Sequence, residues 1–130
     1  MKTDDKREYI QYRIESARKT FEAAKVLAEH GFWNSAVNRL YYALFYSVNA
    51  LLYLSEIPAK KHSSVKSQFA QYFVKTGKFD KKYGQLLSEL FDWRQKGDYD
   101  DLFDFHKDNV DPHFEPVNDS ISMIESMIKK

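Results

Sequence analysis

Apolar residues return along this chain at steps of three and four. Ile10, Ile14, Ala17, Phe21, Ala24 and Ala28 step by 4-3-4-3-4, which keeps them on one face of an α-helix whose other face is charged. This predicts a first helix over about 5–29. Gly31 offers the left-handed residue that closes such a helix, and Asn34 is placed to cap the next one. So short a link implies an antiparallel pair. A second helix, about 35–55, carries the line Val37, Leu40 or Tyr41, Leu44, Val48 and Leu51, with Pro58 beyond its end. A third, shorter helix starts at Ser63 or Ser64, buries Val65, Phe69 and Tyr72 or Phe73, and stops at Gly77. Asp80 caps a fourth helix with Tyr83, Leu87 and Leu90 inward. Asp111-Pro112 supplies a cap and a first-turn proline for a last helix carrying Val117, Ile121, Ile124 and Ile128. Pro116 leaves the start of that helix open. There is no strand pattern, repeat or low-complexity tract, so the expected fold is all-α, an up-and-down bundle of four main helices plus one short helix in a single domain spanning 1–130.

A second line on the second helix does not fit a simple core. In "NRLYYALFYSVNALL", residues 38–52, Arg39, Tyr42, Tyr46 and Asn49 are spaced 3, 4 and 3 apart and share a face separate from Leu44 and Val48. Two readings follow. The polar tips find partners inside a crowded core, or the face is a self-association surface or ligand-lined groove, where Tyr and Arg are favoured. Arg94 is a sharper signal, because it falls where the stripe Tyr83, Leu87, Leu90 calls for another apolar side chain. A guanidinium there needs a partner. Asp98, four residues on, is the expected structural ion-pair partner, with Gly97 weakening the helix between them. The other reading aims Arg94 at a phosphate or a partner subunit.

Composition narrows the function classes. The 130 residues are 43% hydrophobic, 30% charged and 16% aromatic, with a net charge of +1, so no overall field draws in nucleic acid and a local patch is required. DNA is not an expected partner. Cysteine is absent, which removes disulfides and thiolate metal sites. The N-terminus lacks the apolar core of a signal peptide, and no apolar run approaches the roughly 20 residues that span a bilayer. A cytoplasmic protein is expected. His30, His62, His106 and His113 have no metal-ligand spacing, and there is no Gly-rich phosphate loop or nucleophile elbow, so neither metal nor cofactor is expected. His62 precedes a helix start, as a loop or capping residue or an anion contact. Asp98, Asp100, Asp101 and Asp104 read as a solvated acidic run, with His106 and His113 on the surface of the same connection.

The segments "GFWNSAVNRLYYALFYSVNALL", "KKHSSVKSQFAQYFVKTGKFD" and "LFDWRQKGDYDD" together resemble the HEPN domain, in its small stand-alone prokaryotic branch, over about residue 8 to the end. The resemblance implies the same helical bundle, commonly a homodimer. It also implies a nucleotidyltransferase partner in a toxin–antitoxin pair, and in some members RNA cleavage. The ribonuclease motif is an Arg separated from a His by four to six residues. Arg94 matches the Arg, but Tyr99, Asp100 and Asp101 stand where the His belongs, and His106 is twelve residues away. RNA cleavage through the 2′-hydroxyl needs proton transfer near neutral pH, which His supplies and Asp supplies poorly. The expectation is therefore a non-enzymatic or weakly enzymatic domain, with no catalytic residues assigned, that dimerises and binds a nucleotide or a nucleotidyltransferase partner. Its groove would be lined by Arg39, Tyr42, Tyr46, Asn49, His62, Arg94, Asp98 and Tyr99. An RNA-cleaving toxin that uses Arg94 without the close His is the alternative, and a purely structural dimer is a third.

Overall fold

The computed structural model describes the backbone of residues 3–99 and 104–129 and the side chains of 5–98 and 104–129. Its helices are α1 (Thr3–Glu29), α2 (Trp33–Leu54), α3 (His62–Phe69), α4 (Lys81–Tyr99), α5 (Lys107–Val110) and α6 (Phe114–Ile128). No strand occurs among the described residues. The four long helices α1, α2, α4 and α6 pack around one core, and α2 is central to it, touching α1, α4 and α6. Twelve of its 22 residues are buried, Val37, Leu40, Leu44, Val48 and Leu51 among them. On α1 the stripe Ile10, Ile14, Ala17, Phe21 and Ala24 is buried. The two alanines let the backbones of α1 and α2 approach closely, which suits the antiparallel pairing.

The link between these two helices closes as the glycine requires. Gly31 has φ +78°, and Phe32 N–H reaches Leu27 carbonyl at 2.9 Å to satisfy the end of α1. Asn34, expected as the α2 cap, serves a different partner. It lies one residue inside α2, and its Oδ1 accepts from Phe105 N–H at 2.8 Å. At the other end of α2, Glu56 takes φ 58° and Ile57 N–H returns to Leu52 carbonyl at 2.9 Å.

After α3 the chain widens into one π-helical turn, Ala70–Val74, with Lys75 N–H bonded to Ala70 carbonyl at 2.9 Å. The wider turn selects Phe73 over Tyr72 for the interior. Phe73 lies 6.0 Å from Phe69 and 6.1 Å from Phe79, ring to ring, while Tyr72 stays exposed. Asp80 caps α4 as expected, its Oδ1 accepting from Lys82 N–H at 2.9 Å.

The connection before α6 keeps Asp104 exposed, as expected of the acidic run, but is not solvated throughout. Phe105 and Val110 are buried, and residues 107–110 form the single turn α5. Phe105 packs on Trp93 with centroids 4.9 Å apart. Gly97 makes this possible: a Cβ there would sit 3.3 Å from the Phe105 ring. The glycine that weakened the expected helix thus lies inside α4, serving close approach. His113 is likewise not a surface residue. Its ring lies 4.5 Å from Trp93, its Nε2 is 3.2 Å from Glu89, and its Nδ1 is buried without a partner. A 3-10 turn at Asp111–His113 takes Pro112, and α6 then begins at Phe114. Pro116 falls in the first turn of α6, where a missing N–H removes no intrahelical bond.

Candidate functional site

Three elements converge on Arg94. From α4 it projects toward α2, its guanidinium carbon 5.2 Å from the Tyr41 ring centroid, 5.7 Å from Tyr42 and 5.8 Å from Phe91. From the start of α3 comes His62, whose ring stacks on Phe45 at 4.5 Å and lies 5.7 Å from Tyr41 and 5.8 Å from Tyr42. Tyr41 is the hinge of the cluster. Its ring is buried, and its hydroxyl is 2.6 Å from His62 Nδ1.

The hydrogen bonding of Arg94 is incomplete. Among the described residues its one hydrogen bond is long, Nη1 to the Tyr42 hydroxyl at 3.4 Å, and its Nε is buried with no acceptor. The expected ion pair with Asp98 is absent; Asp98 Oδ2 instead accepts from Asn38 Nδ2 at 3.0 Å. Leaving a desolvated donor unmatched costs about 1–3 kcal/mol. Three aromatic faces offset part of that through cation–π attraction, each about 0.5–1 kcal/mol where water is near.

Electrostatics keeps the neighbours of Arg94 uncharged. Burial pushes the Tyr41 hydroxyl well above the ordinary tyrosine range, with the Arg94 charge opposing in part and Tyr42 adding to the rise. Burial and then the charge of Arg94 lower the His62 pKa below its usual 6.5. At neutral pH the Arg94 guanidinium therefore sits beside a neutral imidazole and a neutral phenol. Such a set attracts an anion, and its imidazole is free of a proton on one nitrogen.

The remaining residues of the expected groove fall into two groups. Arg39 joins the cluster, with its guanidinium carbon 5.2 Å from the Tyr42 ring and its Nε donating to Asn38 Oδ1 at 2.9 Å. Tyr46 and Asn49 continue along α2 and meet α1: Arg13 lies 5.2 Å over the Tyr46 ring, and the Tyr9 hydroxyl donates to Asn49 Oδ1 at 3.3 Å. The Tyr99 side chain, Asp100 and Asp101 lie outside the described residues. Tyr41, Phe91, Asn38, Tyr9 and Arg13 were not singled out by the sequence pattern. Tyr41 hid in the core line of α2, while Arg13 and Tyr9, four apart and off the apolar stripe of α1, were a signal in plain view. Among the described residues no three His, Asp or Glu side chains are placed to hold a metal ion, and no helix is long and apolar enough to cross a membrane.

This fold and cluster define a small helical domain with an arginine–aromatic cluster at the α2–α3–α4 junction. The sequence profile of the HEPN domain matches residues 10–129, and the chain belongs to the HEPN family. It is 38% identical over 126 residues to a UPF0332 protein of Thermotoga maritima, covering 97% of this chain and 96% of that one. A Methanocaldococcus jannaschii protein named "Putative toxin MJ0142" is 40% identical over 102 residues, 78% of this chain and 69% of the relative. A second protein of that organism, "Putative toxin MJ0605", is 41% identical over 95 residues, 73% and 71% of the two chains.

Proposed function

We propose that this HEPN domain acts as a toxin-type protein that binds the phosphate of a nucleotide or of RNA at Arg94. One observation carries the proposal: a half-buried guanidinium that has no carboxylate partner among the described residues and whose buried Nε lacks an acceptor there. A phosphate would supply that acceptor and neutralise the charge, and arginine suits it by geometry. The names of the two M. jannaschii relatives support the toxin part of the reading. The direct test is calorimetric titration with a dinucleotide bearing a single phosphodiester. Saturable binding to the wild type, weakened tenfold or more (about 1.4 kcal/mol) in Arg94→Ala, is expected. Unchanged binding in that variant removes the site assignment. Growth arrest on expression, relieved by Arg94→Ala, checks the toxin role.

A second reading, RNA cleavage, is favoured by the contact between Tyr41 and His62. If Nδ1–H donates to the Tyr41 oxygen, Nε2 is left as the proton acceptor, and His62 takes the place of the missing motif histidine. The 2′-hydroxyl would lose its proton to Nε2 and attack phosphorus, breaking the bond to the 5′ oxygen, which takes a proton from His62 or water. The products are a 2′,3′-cyclic phosphate and a 5′-hydroxyl. A bound phosphodiester offsets the Arg94 charge and so raises the basicity of His62 at the moment it is needed. Intact single-stranded RNA after prolonged incubation with the wild type would exclude this reading and leave the binding proposal standing.

A further inference from the structure

Arg94 is part of a longer pattern. Five arginines occur in the chain, and among the described residues only Arg18 of these makes an ion pair. Arg94, Arg39 and Arg13 lie instead against tyrosine rings. Arg94 and Arg39 flank Tyr42 at 5.7 and 5.2 Å, and Arg13 covers Tyr46 at 5.2 Å. Tyr42 and Tyr46 are one helical turn apart on α2, with centroids separated by 5.7 Å, which joins the two groups into one strip. On α1 the strip continues, because Arg13 also lies 5.3 Å from Tyr9 and 5.9 Å from Tyr12. Tyr12 is 62% exposed.

The hydrogen bonds along this strip leave the positive charge uncompensated. Arg39 donates to Asn38 and Arg13 donates to Tyr9, so both bond to neutral oxygens. Asp98 reaches Arg39 only through the Asn38 amide. A chain of net charge +1 thus sets three guanidiniums, without carboxylate partners among the described residues, along one strip of tyrosine rings. A single phosphate engages one of them. Guanidiniums set against tyrosine rings, two of which lie 5.7 Å apart on α2, match a ligand that carries both phosphates and bases. Guanidiniums bind the backbone, and tyrosines stack bases without selecting sequence.

We propose that the strip from Arg94 and Arg39 through Tyr42 and Tyr46 to Arg13 and Tyr12 is a track for a single-stranded polynucleotide. This rests on the reading of Arg94 as a phosphate site and extends it: the ligand is a strand that runs from that site across α2 to α1.

Fluorescence anisotropy compares a labelled RNA dinucleotide with RNA and DNA oligomers of about twelve nucleotides, each at about 50 and 200 mM salt. One of the oligomers should bind at least tenfold more tightly than the dinucleotide and lose more affinity as salt rises. Tyr12→Ala combined with Arg13→Gln should weaken that oligomer about tenfold and leave the dinucleotide unchanged, whereas Arg94→Ala weakens both. The Tyr12→Ala change alone, at an exposed position, keeps the test open if the double variant fails to fold; it should weaken the oligomer severalfold. Equal affinity for dinucleotide and both oligomers overturns the track while sparing the Arg94 site, and so does oligomer binding that ignores Tyr12 and Arg13. If light scattering shows these substitutions splitting a dimer into monomers, the strip is an interface between copies and the proposal falls. Absence of dinucleotide binding to the wild type overturns the underlying reading instead.

Discussion

Arg18 and Arg94 are both partly buried arginines on long helices, and they are treated in opposite ways. On the α1–α6 side every guanidinium nitrogen of Arg18 meets an oxygen. Nε donates to Glu125 Oε1 at 3.1 Å, Nη1 to Asn118 Oδ1 at 2.7 Å and Nη2 to Ser122 Oγ at 2.8 Å, with a further Nη2 contact to Glu125. On the α2–α4 side Arg94 meets rings, one hydroxyl at 3.4 Å and, among the described residues, no carboxylate. A satisfied cation ties two helices together. An unsatisfied one lowers stability, and on the proposed reading a phosphate from outside the chain completes it. On the reading proposed for Arg94, the pairing state of an arginine, more than its burial, separates a structural arginine from a candidate site.

The contrast can be broken by exchanging the two residues for neutral ones. Arg18→Ala should cost about 1–2 kcal/mol in chemical denaturation, since it removes charge-assisted bonds to three partners that are themselves partly solvated. Arg94→Met should leave stability unchanged or raise it by up to about 1 kcal/mol, because an unmatched half-buried charge gives way to an apolar chain of similar length. Equal losses in both variants would end the distinction. A smaller effect is expected at Asn34→Ala, about 1 kcal/mol, because Phe105 N–H loses its acceptor. Hydrogen exchange at Phe105 should report it.

The pH dependence is the smallest effect. The folded-state pKa of His62 is lowered, by burial first and by Arg94 second, so the unfolded chain binds the proton more readily. This part of the stability is present above about pH 6.5 and is lost as pH falls through the folded pKa. His62→Gln should flatten that acid-side decline. In Arg94→Met the NMR titration of His62 should move upward, toward its ordinary value; a downward move would show that Arg94 does not bear on it.

Much of the fold was legible because 3.6-residue periodicity is local. The stripes on α1, α2 and α6, the closing Gly31 and the Asp80 cap all follow from residues near each other in sequence. What escaped depended on distant partners. Asn34 looked like a helix cap, yet its acceptor serves Phe105, 71 residues away. Gly97 looked like a breaker until Phe105 appeared against it. Of the candidate site, Arg94, Tyr42 and Arg39 stood out by misplaced polarity and His62 by its place before a helix start, and the fold brings these four side chains near one another. The Arg94–Asp98 pair was wrong because Asn38, from another helix, takes Asp98. Tyr41 was invisible as a polar group, since its position on the core line conceals a hydroxyl that reaches His62.

The most direct measurement of the central claim is dinucleotide affinity in the wild type, Arg94→Ala and Arg18→Ala under identical buffer, with circular dichroism to establish folding. A phosphate site at Arg94 predicts a tenfold or greater loss for Arg94→Ala and a change within twofold for Arg18→Ala, about 0.4 kcal/mol. Equal losses in the two variants, or none in either, would contradict it.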